Sequence, residues 1–258
     1  MNTISTYNSN CSKQEICGNT NTGFLKLVAL FFMIIDHVGL IFFPEIISLR
    51  ILGRIAFPLY VWCLVVGCVK THNPYKYIVR LLGLALLSQP FFMLCFSKDI
   101  SQLNVIFTLA LGAIAITGIR VSKYGSNWIV PILCFAICAF FKVDYGFRGL
   151  AFILFLYGAR KTRSGLLVSF LAFSMYWGTT SLFINHFFNI QFSFLQWKGI
   201  GAILSPFFRL QGMVWLALPF ILIPMHTSLK LPKKIANYCY PLHFIILYLI
   251  NLIVKTTR

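Results

Sequence analysis

Residues 24–43 read FLKLVALFFMIIDHVGLIFF, a run in which only Lys26, Asp36 and His37 can carry charge. About 20 predominantly apolar residues suffice to carry a helix across the hydrocarbon layer, so this stretch reads as a membrane span. The preceding residues 1–22 are rich in Asn, Ser and Thr and have no apolar core. They are not a signal peptide, and the run itself lacks a small-residue cleavage pattern. It is therefore expected to stay in place as the first helix, behind a disordered, cytoplasmic N-terminal tail at residues 1–22.

The rest of the chain extends the pattern. Apolar runs recur at about 51–69, 77–96, 103–119, 127–141, 147–159, 165–188, 209–225 and 237–254, which predicts an all-α polytopic bundle of about nine (8–10) spans within residues 23–258. The fifth and sixth are short and are joined by Lys142-Val-Asp-Tyr-Gly-Phe-Arg148, which suggests a tight re-entry near one face. The aromatic stretch 192–207, broken by Gly199, Gly201 and Pro206, fits either an interfacial segment or a tenth span. Of 258 residues, 59% are hydrophobic and 10% charged. A soluble domain carries about 25% charged residues, so this chain has too little polar surface to fold in water.

Its charge is lopsided, with 22 Lys and Arg against 5 Asp and Glu. The basic residues fall between apolar runs, as the positive-inside rule expects, so nucleic acid is excluded as the partner and membrane lipid is expected. Lys70, Lys76 and Arg80; Arg120 and Lys123; Arg160, Lys161 and Arg163; and Lys230, Lys233 and Lys234 mark alternate connections. They share a side, the cytoplasm, which places the N-terminus inside and, with nine spans, the C-terminus outside. Of the eight cysteines, five lie in apolar runs and behave as small hydrophobes. No zinc-type Cys/His spacing occurs, so no metal site is expected. Whether Cys11 and Cys17 pair is left open.

Function is sought where charge is buried, because an ionised group at the bilayer centre costs at least ~2.5–3.5 kcal/mol. Asp36 and His37 lie well inside the first run. Adjacent helical residues point about 100° apart, so the two face different neighbours, and Asp36 is expected to meet a cation on another helix. Arg54, within Arg50-Ile-Leu-Gly-Arg-Ile-Ala-Phe-Pro58, stands at comparable depth. It either pairs with Asp36 or snorkels to the interface. Asp144-Tyr145-Gly146 with Arg148 is either a turn or a site, and Tyr240-Pro-Leu-His243 opens the last run. Gln89, Asn104, Asn185 and Gln211 add uncharged polar groups, which usually act as interhelical glue. His72, His186 and His226 lie in or near loops and take no role. No HExxH, P-loop, GxSxG or GxGxxG motif is present.

In this order, Met33-Ile-Ile-Asp-His37, Gly53-Arg-Ile-Ala-Phe-Pro58, Lys76-Tyr77 with Arg80, Ser88-Gln-Pro90, Leu103-Asn-Val-Ile-Phe-Thr-Leu109, Asp144-Tyr-Gly146, Gln211 leading to Leu216-Ala-Leu-Pro219, and Tyr240-Pro-Leu-His243 resemble the TraX family. The match covers residues 24 to about 250. It departs at Met225-His-Thr-Ser-Leu-Lys-Leu-Pro232, where the family usually has a connection rich in Asn, Gly, Lys and Arg. The resemblance implies an acyltransferase of the bacterial cytoplasmic (inner) membrane, of the kind that acetylates the N-terminal amine of conjugative pilin. It implies a first-helix histidine that works with acetyl-CoA or another acyl-CoA as co-substrate. His37 is then the expected base or transient acyl carrier, with Asp36 and Arg54 as its supporting pair. The basic residues Lys76, Arg80, Arg120, Lys123, Arg160 and Lys161 are expected to meet CoA phosphates, and the pantetheine arm to run up the bundle interior. Asn104 or Gln211 is the expected oxyanion donor, and Asp144, Tyr145, Arg148 and His243 are further candidates for substrate contact. The acceptor is expected to be a peptide amine or a glycan or lipid hydroxyl. The rival classes are a proton-coupled transporter, in which Asp36, His37 and Arg54 relay protons, and a non-catalytic scaffold. The inverted repeats and paired broken helices of many transporters are not evident in the sequence.

Overall fold

The structure is a computed structural model that describes residues 16–256 apart from 185, 189, 198, 226 and 230–232. Asn185, His226, Lys230, Cys11 and the first fifteen residues of the expected tail thus lie outside the described residues, as does part of the departing segment 225–232.

Helices dominate. In chain order they are α1 (Thr22–Phe42), α2 (Ile47–Gly53), α3 (Ala56–Lys70), α4 (Pro74–Phe96), α5 (Val105–Val121), α6 (Ser126–Phe140), α7 (Gly146–Ala159), α8 (Arg163–Gly178), α9 (Ile200–Leu204), α10 (Leu218–Leu222) and α11 (Lys233–Thr256). Four described stretches are long and apolar enough to cross a membrane: Thr22–Phe42, Ile47–Lys70, Pro74–Phe96 and Tyr238–Thr256. Shorter apolar helices occupy Val105–Val121, Ser126–Phe140, Gly146–Ala159 and Gly212–Leu222. The protein is thus an all-α, membrane-type fold, and the count of nine spans is not established. Large apolar side chains such as Phe31, Trp128, Ile132 and Phe155 lie on its surface, as a lipid-facing surface requires.

Two compact units divide the chain. The first comprises residues 1–60 and 159–231, the second 61–158 and 232–258.

In the first unit α1 is capped by Asn21, whose side chain accepts from the Phe24 N–H. Residues just before it are held by backbone bonds, from the Cys17 N–H to the Arg160 carbonyl and from the Asn19 N–H to the Ile221 carbonyl. α1 and α2 pack closely where Gly39 meets Leu49 and Gly53 meets Asp36; a Cβ on Gly53 would stand 2.1 Å from an Asp36 carboxylate oxygen. The α2–α3 stretch is interrupted at residues 54–55 by a tighter turn, the Ile55 N–H reaching the Leu52 carbonyl. Pro58 explains the break, because it has no N–H to offer the Arg54 carbonyl four residues earlier.

Two expected helices are not continuous here. The run 165–188 is helical only to Gly178, where the Thr179 and Ser181 hydroxyls donate to the Tyr176 and Gly178 carbonyls. Such side-chain bonds compete with helical ones. Beyond it come the short antiparallel strands β3 (His186–Phe187) and β4 (Ile190–Gln191). The run 209–225 holds a 3-10 segment (Gly212–Ala217) and the single turn α10, with Pro219 in its first turn. Gly178 and Gly212 both pack on the Pro206 carbonyl so closely that neither has room for a Cβ. The aromatic stretch 192–207 forms short pieces, a 3-10 turn at Ser193–Gln196, α9, and another 3-10 turn at Ser205–Phe208.

In the second unit, α5 is the central helix, with most of its positions buried. Gly112 lets it approach Ile153 of α7, and Gly118 lets it approach Val130 of α6. At one end β1 (Gln102–Leu103) pairs in parallel with β2 (Lys142–Val143), which forms the tight connection between the short helices α6 and α7. Phe244 of α11 packs edge-on against Phe92 and Phe96 of α4.

Candidate functional site

Within the first unit, α1, α2 and the residue that caps α2 bring three charged side chains together, all within stretches long and apolar enough to cross a membrane. Arg54 donates to Oδ1 of Asp36 at 2.6 Å, and Arg50 donates to Oδ2 at 2.8 Å. The expected pairing of Asp36 with Arg54 is present, and Arg50 completes it as a second cation. In the sequence Arg50 stands out only as the first residue of the segment that holds Arg54. The signal was the spacing of Arg50 and Arg54, four residues apart and hence on one helix face.

Both cations are further fixed. Arg50 also donates to the Asp36 backbone carbonyl at 3.2 Å, and the Arg54 Nε donates to the Arg50 carbonyl at 3.1 Å. The remaining Arg54 nitrogen donates to Gln211 Oε1 at 3.1 Å. Because guanidinium only donates, Gln211 must turn its oxygen toward Arg54 and its NH₂ elsewhere. Gln211 is itself positioned by its backbone N–H, which donates to Ser181 Oγ. Arg209 ties the same segment down by donating to the carbonyls of Thr179 and Ser181.

Asp36 and Arg54 are both buried. With two cations against one carboxylate the cluster carries one net positive charge. His37 follows Asp36 on α1, turned away from it, half-buried and within electrostatic reach of Arg50 and Arg54. The arrangement thus sets an imidazole beside a rigid, buried, positively charged cluster. Such a cluster stabilises negative charge that develops nearby, and an imidazole accepts and returns a proton.

Of the other expected residues, half-buried Arg160 and exposed Lys161 also lie in the first unit, between α7 and α8, and the rest belong to the second unit. Asn104 caps α5 and is fully buried. Its NH₂ donates to the Ala85 carbonyl and to Gln89 Oε1, each at 2.9 Å, and its oxygen accepts from the Ile106 N–H. Gln89 in turn donates to the Gln102 carbonyl at 2.7 Å. Both amide hydrogens of Asn104 are thereby spent, and the residue acts as a joint between α4 and α5. Asp144, exposed beside β2, accepts at its carbonyl from the Thr108 hydroxyl, and its N–H donates to the Leu103 carbonyl at 2.9 Å. Tyr145 follows in a left-handed conformation (φ 61°) that turns the chain into α7, near whose start Arg148 lies. His243 is buried against the rings of Phe244 and Tyr240, with centroids at 3.9 and 5.3 Å.

Lys76, Arg80, Arg120 and Lys123 are exposed and share one end of the second unit. Arg120 donates to the Cys68 carbonyl near the end of α3. Tyr77 lies against Gly67 of the same helix, and Arg80 stands over the Tyr77 ring at 5.9 Å. Four cations, with Lys70 beside them, form a basic end.

Comparison with known proteins gives the following. The family model described as TraX protein matches residues 21–251. A relative from Dichelobacter nodosus, described as "Probable fimbrial assembly protein FimC, serogroup H1", is 32% identical over 157 residues, which cover 54% of this chain and 64% of that protein. A protein of Rickettsia prowazekii (strain Madrid E), described as "Uncharacterized protein RP591", is 27% identical over 148 residues, covering 55% of this chain and 57% of its own. The chain thus spans less than two thirds of the length of these curated relatives. No solved structure matches.

Proposed function

The chain belongs to the TraX family, and we propose that it is an integral membrane acyltransferase. In this reading it moves an acetyl or other acyl group from acyl-CoA to an amine or hydroxyl acceptor, in the bacterial cytoplasmic membrane with its N-terminus in the cytoplasm. The observation that carries the proposal is the Asp36–Arg50–Arg54 cluster with His37 beside it. The similarity to a protein described as a fimbrial assembly protein favours a peptide amine, that of a surface-appendage subunit, over a sugar or lipid hydroxyl.

The chemistry is as follows. His37 removes a proton from the acceptor amine as its nitrogen attacks the thioester carbonyl. A C–N bond forms, the C–S bond breaks, and His37 returns the proton to the departing CoA thiolate. Negative charge that develops on the carbonyl oxygen is met by the net positive cluster, and the NH₂ of Gln211 is the amide donor for that oxygen. Asp36, engaged by two guanidinium groups, is the counter-ion that fixes them and not the base. Asn104 is not carried forward as a donor, because its hydrogens are spent. The basic end at Lys76, Arg80, Arg120 and Lys123 supplies charge suited to the phosphates of CoA.

The test is transfer itself. Purified protein in lipid nanodiscs, given acetyl-CoA labelled in the acetyl group and a peptide with a free N-terminal amine, is expected to release CoA thiol and label the peptide in equal amounts. Thiol release without labelling of any amine or hydroxyl acceptor would leave a hydrolase, and neither product would remove the enzymatic reading.

A further inference from the structure

In the second unit, the helices that meet at the basic end do not reach equally far from it. α4 runs to Phe96, and exposed Lys98 and Asp99 stand just past it. At that far end Leu94 and, on α11, Leu252 are exposed apolar side chains, and both lie beside Ser97. Hydrocarbon therefore extends to the end of α4 on this side. α5 and α6 stop short of it. Asn104, the cap of α5, donates to the Ala85 carbonyl and to Gln89, and Gln89 donates to the Gln102 carbonyl, so β1 lies beside residues 85–89 of α4. From Gln89 to Phe96 α4 rises by a further seven residues, about 10 Å. The Asp144 N–H donates to the Leu103 carbonyl and β2 pairs with β1. Lys142 and Asp144, both exposed, thus stand at the lower level.

We propose that the bilayer dips beside α6: on the face opposite the basic end, lipid headgroups come down to β2, about 10 Å below the end of α4. Two observations select lipid as the occupant. α6 has fifteen residues (Ser126–Phe140) and is about 22 Å long, against ~30 Å of hydrocarbon. Its exposed side chains Trp128, Ile132, Leu133 and Phe140 are apolar along that whole length, so acyl chains, and not protein, border the helix up to Lys142. A lipid-facing helix shorter than the hydrocarbon draws the bilayer in, and the dip keeps Lys142 and Asp144 out of a medium where charge is costly. Along α6 the two aqueous phases are then separated by about two thirds of the usual distance.

The dip is separate from the Asp36 cluster, so its test does not depend on acyl transfer. Leu87 supplies the control: it lies on α4 between Ala85 and Gln89, at the level of β2, and is exposed. The full chain is placed in dioleoyl phosphatidylcholine nanodiscs as Lys142→Cys or Leu87→Cys and treated with a charged, water-soluble maleimide, with wild type as the background. Lys142→Cys is expected to be labelled, and Leu87→Cys to stay unlabelled until detergent is added. Labelling of both would put that whole level outside the hydrocarbon, and labelling of neither would leave β2 without water; each overturns the proposal. The second arm varies acyl length and needs no variant. The thermal midpoint of wild type is expected to be higher in dimyristoleoyl than in dioleoyl phosphatidylcholine, and lowest in the dierucoyl lipid, where labelling of Lys142→Cys is also expected to fall. A midpoint highest in dioleoyl lipid, or labelling independent of acyl length, would mean that lipid does not thin at α6 and would overturn it.

Discussion

At the scale of single residues, the Asp36 carboxylate holds two cations in place. Replacing it with Asn leaves two guanidinium groups facing an uncharged partner, and breaking a buried pair in this way costs about 3–5 kcal/mol. Asp36→Asn is therefore expected to lower the thermal midpoint in detergent, and Arg54→Gln to do so less, because Arg50 still answers the carboxylate. Gly53 belongs to the same arrangement. With Asp36 atoms where a Cβ would sit, Gly53→Ala is expected to destabilise by about 1–3 kcal/mol, the usual cost of overpacking, and to reduce transfer by displacing Asp36. Thermal unfolding of the three variants beside wild type checks the order and the magnitudes. Gln211→Leu separates support from chemistry: it removes one bond to Arg54, so stability is expected to change by about 1 kcal/mol. Loss of the proposed oxyanion donor lowers kcat by about 10²–10³; a kcat unchanged in a stable Gln211→Leu protein would take Gln211 out of that role.

At the scale of elements, the break between α2 and α3 positions the cluster. Pro58 withholds an N–H from the Arg54 carbonyl, and the chain turns at the residue whose side chain must reach α1. Pro58→Ala restores that N–H. The variant is expected to be at least as stable as wild type and less active, since continuous helix re-aims Arg54; full activity would show that the break has no part in the site. Asn104 belongs to a second joint, between α4 and α5. Asn104→Ala removes a cap worth about 0.5–2 kcal/mol and leaves Gln89 short of a partner. Its effect is expected on stability and not on the ratio of transfer to folded protein. Some of these elements were legible in the sequence. The regular helices α1, α4, α5, α6 and α7 sit within a few residues of their apolar runs, because composition and length suffice where nothing interrupts the backbone ladder. The region 178–222 was not legible in the same way. Its hydropathy resembles that of a helix, while Pro206, Pro219 and the close crossing of Gly178 with Gly212 break it into short turns.

At the scale of the whole molecule, scarcity of charge made the site readable. Among so few acidic residues, one carboxylate inside an apolar run has to find a cation, and Arg54 was the candidate at matching depth. The sequence offered less on Arg50, which is distinguished only by its spacing from Arg54. The basic end gives a prediction at this scale: replacing Lys76, Arg80, Arg120 and Lys123 together by Gln is expected to raise KM for acyl-CoA with kcat little changed, read from transfer against donor concentration. The most direct measurement is the single-turnover rate of acyl transfer by His37→Ala in lipid nanodiscs, beside wild type of the same thermal midpoint. A fall of about 10²–10⁴, the contribution of a general base, is the predicted result. Transfer at the wild-type rate by the folded variant would contradict it.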